Sequence, residues 1–120
     1  LCSGCITGSD EDNAKDVVRD YYSAYNDRDA ESIVSLYASE VIDGAGGEET
    51  FGDNLSAVLD LADQTNLTLK IVRFLNVRIL DDKAFVYFDV NLVDDTRDET
   101  TNVRFELIKE DGKWRISSIG

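Results

Sequence analysis

The sequence predicts an α+β domain in which helices lie on one face of an antiparallel sheet. Residues 13–66 repeat apolar side chains at spacings of three and four, which is the period of amphipathic helices. From Leu67 onward the period changes to two, the period of strands, and tight turns separate the strand-like runs. Helices that precede hairpin-linked strands predict a sheet covered on one side, with a hollow between the layers.

Three helices are expected in the first half of the chain. Each has a capping residue at its start, and the candidate caps are Asp12 or Asn13, Asp29, and Asp53 or Asn54. The first helix ends near Asn26, and a link of only two residues makes a tight corner with the second. Residues 41–52 are rich in glycine, so we expect a mobile loop or a small irregular hairpin there.

Four antiparallel strands are expected over residues 67–80, 84–93, 101–109 and 113–119. The apolar face of the first strand switches between Ile71-Val72 and Phe74-Leu75, which predicts a bulge. The pair Asp111-Gly112 is typical of a two-residue hairpin turn into the last strand.

Length and charge restrict the possible partners. At 120 residues the chain forms one domain, and 25 acidic against 12 basic residues give a net charge of -13. Such a surface repels phosphate backbones and anionic headgroups, so we expect no nucleic-acid partner. Seventeen aspartates, eight glutamates and five lysines resemble the composition of proteins from high-salt organisms, although an ordinary acidic surface explains these counts equally well.

The first residues are typical of the end of a lipoprotein signal peptide. Small residues precede Cys5 and a polar, acidic stretch follows it, so Cys5 is the expected lipidation site and residues 1–12 a disordered tether to domain 13–120. This predicts an exported cell-surface protein that reaches the membrane only through a lipid anchor.

Unpaired cysteines in a disordered tail are an alternative. A redox or zinc pair is disfavoured, because the sequence has no third cysteine and no histidine. We therefore expect no metal or cofactor.

Two segments carry a resemblance to a known family. The aromatic-rich helix corner over residues 18–33 and the closing Asp111-Gly-Lys-Trp hairpin resemble the nuclear transport factor two-like superfamily, over residues 13–119. The resemblance implies a cone, in which a strongly curved sheet of at least four strands wraps round three helices. It also implies a frequent cavity at the open end and a homodimer formed through the outer face. Members include ketosteroid isomerase and non-catalytic adaptors, so this fold leaves function open.

The tyrosines are the best candidates for contacting a ligand. A helix facing a curved sheet would aim Tyr21 and Tyr25 into the cone, where each ring packs and each hydroxyl orients a ligand. Tyr22, Tyr37 and Trp114 are candidate companions. The alternative is that these side chains are simply core residues.

Asp89 is the weak candidate for a catalytic residue. An inward carboxylate in this apolar strand would be desolvated and suited to act as a general base. Strand alternation instead groups Asp89 with Tyr87 and Asn91, opposite the aliphatic set, and therefore predicts an outer position.

The sequence favours a non-catalytic ligand-binding or protein-interaction domain. One alternative is a small-molecule isomerase, cyclase or hydrolase that uses a carboxylate or tyrosine in the cone. Another is a structural dimerisation domain. The inside of the cone distinguishes these hypotheses. A cavity with a carboxylate beside a tyrosine favours the enzyme, an apolar cavity with tyrosine hydroxyls favours binding, and a filled interior favours the dimerisation domain.

Overall fold

The computed structural model describes residues 9–120, which form four helices followed by four strands. The helices are α1 (Asp10–Asn26), α2 (Ala30–Leu36), α3 (Ser39–Gly44) and α4 (Glu48–Gln64). The strands are β1 (Thr68–Leu80), β2 (Lys83–Val93), β3 (Asp98–Glu110) and β4 (Lys113–Ile119). The predicted α+β class is confirmed. Cys5 and residues 1–8 of the expected tether lie outside the described residues.

Helix α1 begins earlier than the sequence pattern indicates. The Asp12 backbone N–H donates to Ser9 Oγ at 3.1 Å, so Ser9 caps the helix instead of Asp12 or Asn13. Three acidic residues then occupy the first turn, where the helix dipole favours negative charge. Asp29 caps α2 as predicted, because its carboxylate accepts the Ser32 backbone N–H at 3.2 Å.

The glycine-rich segment 41–52 is helical, so the expected loop or hairpin is wrong. This segment forms most of α3 and the start of α4. Gly46 and Gly47, at φ of 96° and 101°, separate the two helices. Glycine adopts such angles without steric cost, whereas a helix cannot continue through them. The two glycines therefore divide one helical run, and α4 begins at Glu48 instead of near Asp53.

The strands form one antiparallel sheet in the order β1-β2-β3-β4. Its register in β1 shifts between Ile71 and Arg73 and again between Phe74 and Asn76. The predicted bulge is therefore confirmed, and a second one lies three residues further on. Bulges increase the local twist of a sheet, which helps β1 to curve around the helices.

Two apolar clusters hold the helices on the concave face of the sheet. The larger cluster lies between α1 and the sheet, where Phe88 and Phe105 are fully buried with their ring centroids 5.3 Å apart. The smaller cluster joins α1, α2 and α4 through Ala24, Ile33 and Leu59. Among residues 9–120 every buried residue is apolar or aromatic.

Polar side chains fix the corner between α1 and α2 to the rest of the fold. The Arg28 guanidinium donates to the carbonyl oxygens of Ala62 at 3.2 Å and Leu67 at 2.6 Å, at the end of α4 and the start of β1. The Asn26 amide donates to the Leu69 carbonyl at 2.7 Å and accepts the Leu69 N–H at 2.9 Å. The end of α1 is thereby bound to the outer edge of β1.

Candidate functional site

Tyr21 lies at the centre of four tyrosines on the helix side of the sheet. Its ring centroid lies 5.1 Å from that of Tyr22, 6.0 Å from that of Tyr25 and 6.4 Å from that of Tyr37. Tyr21 and Tyr37 each contact both apolar clusters. Tyr21, Tyr25 and Tyr37 are half-buried, and we call these three residues the tyrosine seam.

The position of Tyr37 depends on the edge of the sheet. Tyr37 follows α2 and forms a parallel bridge with Ile116 of β4, and the next residue, Ala38, donates its N–H to the Ile116 carbonyl at 2.8 Å. Phe51 of α4 contacts the Tyr37 ring edge-on, with centroids 4.9 Å apart. The β4 edge and α4 together hold this ring against Tyr21.

Burial keeps the seam hydroxyls protonated. It raises the pKa of Tyr21, and a hydrogen bond with the Tyr37 hydroxyl raises it further. Burial also raises the pKa of Tyr37, although the same hydrogen bond opposes the shift. The pKa of Tyr25 is raised by burial against the opposing effect of the Arg28 charge. All three phenols are therefore neutral at physiological pH.

Neutral phenols limit the chemistry of the seam. A protonated tyrosine donates one hydrogen bond and accepts others, so it can orient a hydroxyl or carbonyl group of a ligand. It cannot remove a proton as a general base at neutral pH, because that requires the phenolate. Of the seam residues, Tyr37 also lines a groove of about 300 Å³, together with Val34 and Ile42.

Two of the candidate companions lie outside the seam. Tyr22 is buried among core rings, with centroid distances of 5.7 Å to Phe88 and 5.9 Å to Phe105. Trp114 is 5% exposed and lies beneath the Lys109 ammonium, 5.0 Å from the ring centroid. Its indole nitrogen is buried without a hydrogen-bond partner among the residues that the structure describes. The structure brings Tyr21, Tyr25 and Tyr37 together and leaves Trp114 apart from them.

Asp89 lies on the outer face of the sheet, as strand alternation predicts. Its neighbours Phe88 and Val90 are buried on the concave side. The Asp89 carboxylate accepts a hydrogen bond from Arg73 Nε at 3.1 Å and another from the Asn102 amide at 3.4 Å. The sheet therefore separates this carboxylate from the tyrosine seam.

Two grooves beside α1 were missed by the sequence analysis. One, of about 320 Å³, lies between α1 and α2 and is lined by Asp20, Asp27 and Asp29. The other, of about 300 Å³, lies between α1 and the β3–β4 hairpin and includes Trp114. Both contain Asp20 and Leu36. Asp20 in α1 and its C-cap Asp27 are seven residues apart and therefore lie on the same side of the helix, and this signal was available in the sequence.

Metal ligands do not gather in the described part of the chain. Within residues 9–120, no three side chains of the His, Cys, Asp or Glu type lie close enough together to hold an ion. Nor does any helix in that range have the length and apolar character needed to span a bilayer.

Comparison with solved structures identifies the fold. No family model matches the sequence, and no curated protein does. An NTF2-like protein of unknown function from Shewanella oneidensis is 16% identical, with a TM-score of 0.69 over 90% of this chain and 94% of its own. A protein with a cystatin-like fold from Nostoc punctiforme is 16% identical, with a TM-score of 0.70 over 94% of this chain and 90% of its own.

A third structure comes from the same fold group. It is a proposed dehydratase of the NTF2-like family from Streptomyces avermitilis, 15% identical, with a TM-score of 0.65 over 92% of each chain. At these identities the likeness concerns the backbone, which matches over nearly the whole domain. The chain has the NTF2-like, cystatin-like cone fold, in which helices pack against a curved four-stranded antiparallel sheet.

Proposed function

We propose that this protein is a non-catalytic binding module that accepts a small apolar molecule at the tyrosine seam. The observation that carries this proposal is the gathering of three half-buried phenols where the two apolar clusters meet. Apolar surroundings would contribute most of the affinity, and the hydroxyls would select ligands with a suitably placed polar atom.

The ionisation of the seam disfavours base catalysis by its tyrosines. Burial raises the pKa of Tyr21 and Tyr37, so neither supplies a phenolate at neutral pH. The candidate carboxylate, Asp89, lies across the sheet and is paired with Arg73. A ligand at the seam would therefore contact hydroxyl groups that form hydrogen bonds. The Asp89 carboxylate of β2 would lie on the other side of the sheet and could not act as its base.

Tyrosine-to-phenylalanine variants test this proposal. N-phenyl-1-naphthylamine, a neutral apolar dye whose fluorescence rises in apolar surroundings, is the first probe, and a panel of its hydroxylated analogues is the second. Tyr25→Phe and Tyr37→Phe should weaken binding of the hydroxylated analogues about 2- to 10-fold, because each loses one hydrogen bond of about 0.5–1.5 kcal/mol. Binding of the parent dye should change little.

Tyr87→Phe is the matched control, since Tyr87 lies on the outer face of the sheet between Asn76 and Arg104. It should bind both probes like the wild type. Equal affinity of all variants for the hydroxylated analogues would assign the seam to packing and contradict the proposal.

We further propose that the domain is exported and held at the cell surface by a lipid on Cys5. The support is the small residues before this cysteine and the polar stretch that follows it. Mass spectrometry of the protein isolated from membranes should show a lipid-modified Cys5. An unmodified cysteine in protein from the soluble fraction would remove the tether.

A further inference from the structure

The net charge of the protein is concentrated on its helices. Residues 10–64, which contain all four helices, carry 15 acidic and 3 basic side chains. Residues 65–120, which contain the sheet, carry 10 acidic and 9 basic ones. The helical part therefore has a net charge of -12 and the sheet part a net charge of -1. The two layers of the fold differ strongly in electrostatic potential.

Basic and aromatic side chains alternate on the outer face of the sheet. Arg78 of β1 lies directly opposite Phe85 of β2, and Tyr87 of β2 lies directly opposite Arg104 of β3. Lys83, two residues before Phe85, points to the same face. We call these five residues the outer patch.

The cations of the outer patch are exposed and unpaired within the described part of the chain. Arg78, Lys83 and Arg104 are exposed and form no salt bridge with any residue from 9 to 120. The three basic residues of the helical part, by contrast, all pair with carboxylates. Glu106 lies opposite Phe85 on the same face, so three cations beside one carboxylate leave a locally positive surface.

One apolar side chain extends the outer patch along β1. Leu80 is two residues after Arg78 on the same face and is 51% accessible. Phe85 and Tyr87 are half-buried beside it. Exposed apolar surface together with arginine and aromatic residues is typical of the centres of protein–protein interfaces.

We propose that the outer patch docks an acidic segment of a partner protein. The carboxylates of that segment would pair with Arg78, Lys83 and Arg104, and its apolar side chains would cover Phe85 and Tyr87. The positive charge of the outer patch complements the negative charge of an acidic segment. The negative helical part repels such a segment and directs it toward the sheet. A second copy in two-fold contact would instead bring together two patches of the same positive charge.

Charge-reversal variants test the docking surface. The probe is a fluorescein-labelled peptide of four Glu-Glu-Phe repeats, and the measurement is fluorescence anisotropy at 50 mM and 300 mM NaCl. Arg78→Glu/Arg104→Glu should weaken binding at least tenfold, and the wild-type affinity should fall at the higher salt concentration. Circular dichroism checks the fold of each variant, and Arg78→Gln/Arg104→Gln replaces the double reversal if that protein does not fold.

Arg19→Glu/Lys113→Glu is the matched control, because it makes the same change in net charge on α1 and at the start of β4. Its affinity for the peptide should stay within twofold of the wild type. An absence of wild-type binding, or an equal loss in both double variants, would overturn the proposal. So would patch-dependent binding of phosphatidylglycerol vesicles without peptide binding, or a wild-type dimer that the Arg78→Glu/Arg104→Glu variant abolishes.

Discussion

Arg28 shows how one side chain can join three elements of the fold. It lies in the two-residue link after α1 with a φ of 59°, an angle that few residues other than glycine adopt. From there its guanidinium donates to the carbonyls of Tyr25, Ala62 and Leu67. Tyr25 and Ala62 lie in the last turns of α1 and α4, and Leu67 directly precedes β1, so the three bonds join these ends.

Replacing Arg28 with alanine should therefore destabilise the domain. We expect Arg28→Ala to lower the free energy of unfolding by about 1–3 kcal/mol, because partly buried carbonyls lose a charged donor. Urea unfolding followed by circular dichroism measures this. Lys113→Ala is the control, since Lys113 is exposed at the start of β4 and forms no salt bridge among residues 9–120, and its effect should be within about 0.5 kcal/mol. Equal stability of the two variants would show that the Arg28 bonds contribute nothing.

The contacts within the tyrosine seam are harder to predict from the sequence than the helices and strands that carry these tyrosines. Helical spacing predicted that Tyr21 and Tyr25 would point into the cone. The Tyr21 ring lies 5.2 Å from that of Phe105 in β3, whereas Tyr25 packs against the cluster between α1, α2 and α4. Their contact with Tyr37 depends on the parallel bridge between Tyr37 and Ile116, which are 79 residues apart in sequence. No local pattern contains that bridge, so the sequence alone left Tyr37 and the buried Trp114 as equivalent candidates.

The break between α3 and α4 shows how glycines shape an element. Gly47 precedes α4 with φ of 101° and ψ of 171°, a region that is almost exclusive to glycine. Gly44, by contrast, lies within α3, and a Cβ atom added to it would meet nothing within 4 Å. Two glycines in the same short segment therefore have different conformational requirements.

These glycines provide a matched pair of substitutions. Gly47→Ala should lower the free energy of unfolding by about 1–3 kcal/mol, because alanine is strained at this φ and ψ. Gly44→Ala should be neutral or raise it by up to about 1 kcal/mol, since alanine restricts the unfolded chain and favours helix. Chemical denaturation of both variants gives the comparison. A neutral Gly47→Ala would mean that the link relaxes at no cost.

At the scale of the whole molecule, charge separates the helical part from the sheet. The repulsion among 15 acidic residues in the helical part opposes folding at low ionic strength. The acidic composition therefore affects stability through this repulsion, whether or not the protein comes from a high-salt environment. The homodimer that the family resemblance implies would use the same outer face and is the rival occupant of the outer patch, and light scattering of the wild type measures it.

Salt should therefore stabilise the protein. We expect the melting temperature to rise by about 5 °C between 50 mM and 1 M NaCl, because ions screen the repulsion among the helices. An Asp20→Asn/Asp27→Asn variant should melt higher than the wild type at 50 mM NaCl and gain less from added salt. Differential scanning calorimetry measures both effects. A melting temperature independent of salt would mean that the acidic residues are too far apart to interact.

The sequence by itself determined α1, α2, most of α4, the four strands, the first bulge and the outer position of Asp89, but not α3. Each of these depends on the periodicity of neighbouring residues, which a linear pattern contains. Only the tertiary structure decided which tyrosines meet, that Trp114 lies apart from them, and that Arg78 and Arg104 flank the same aromatic pair. Those contacts depend on strand register and on how the sheet curves around the helices, and both result from packing between residues distant in the chain.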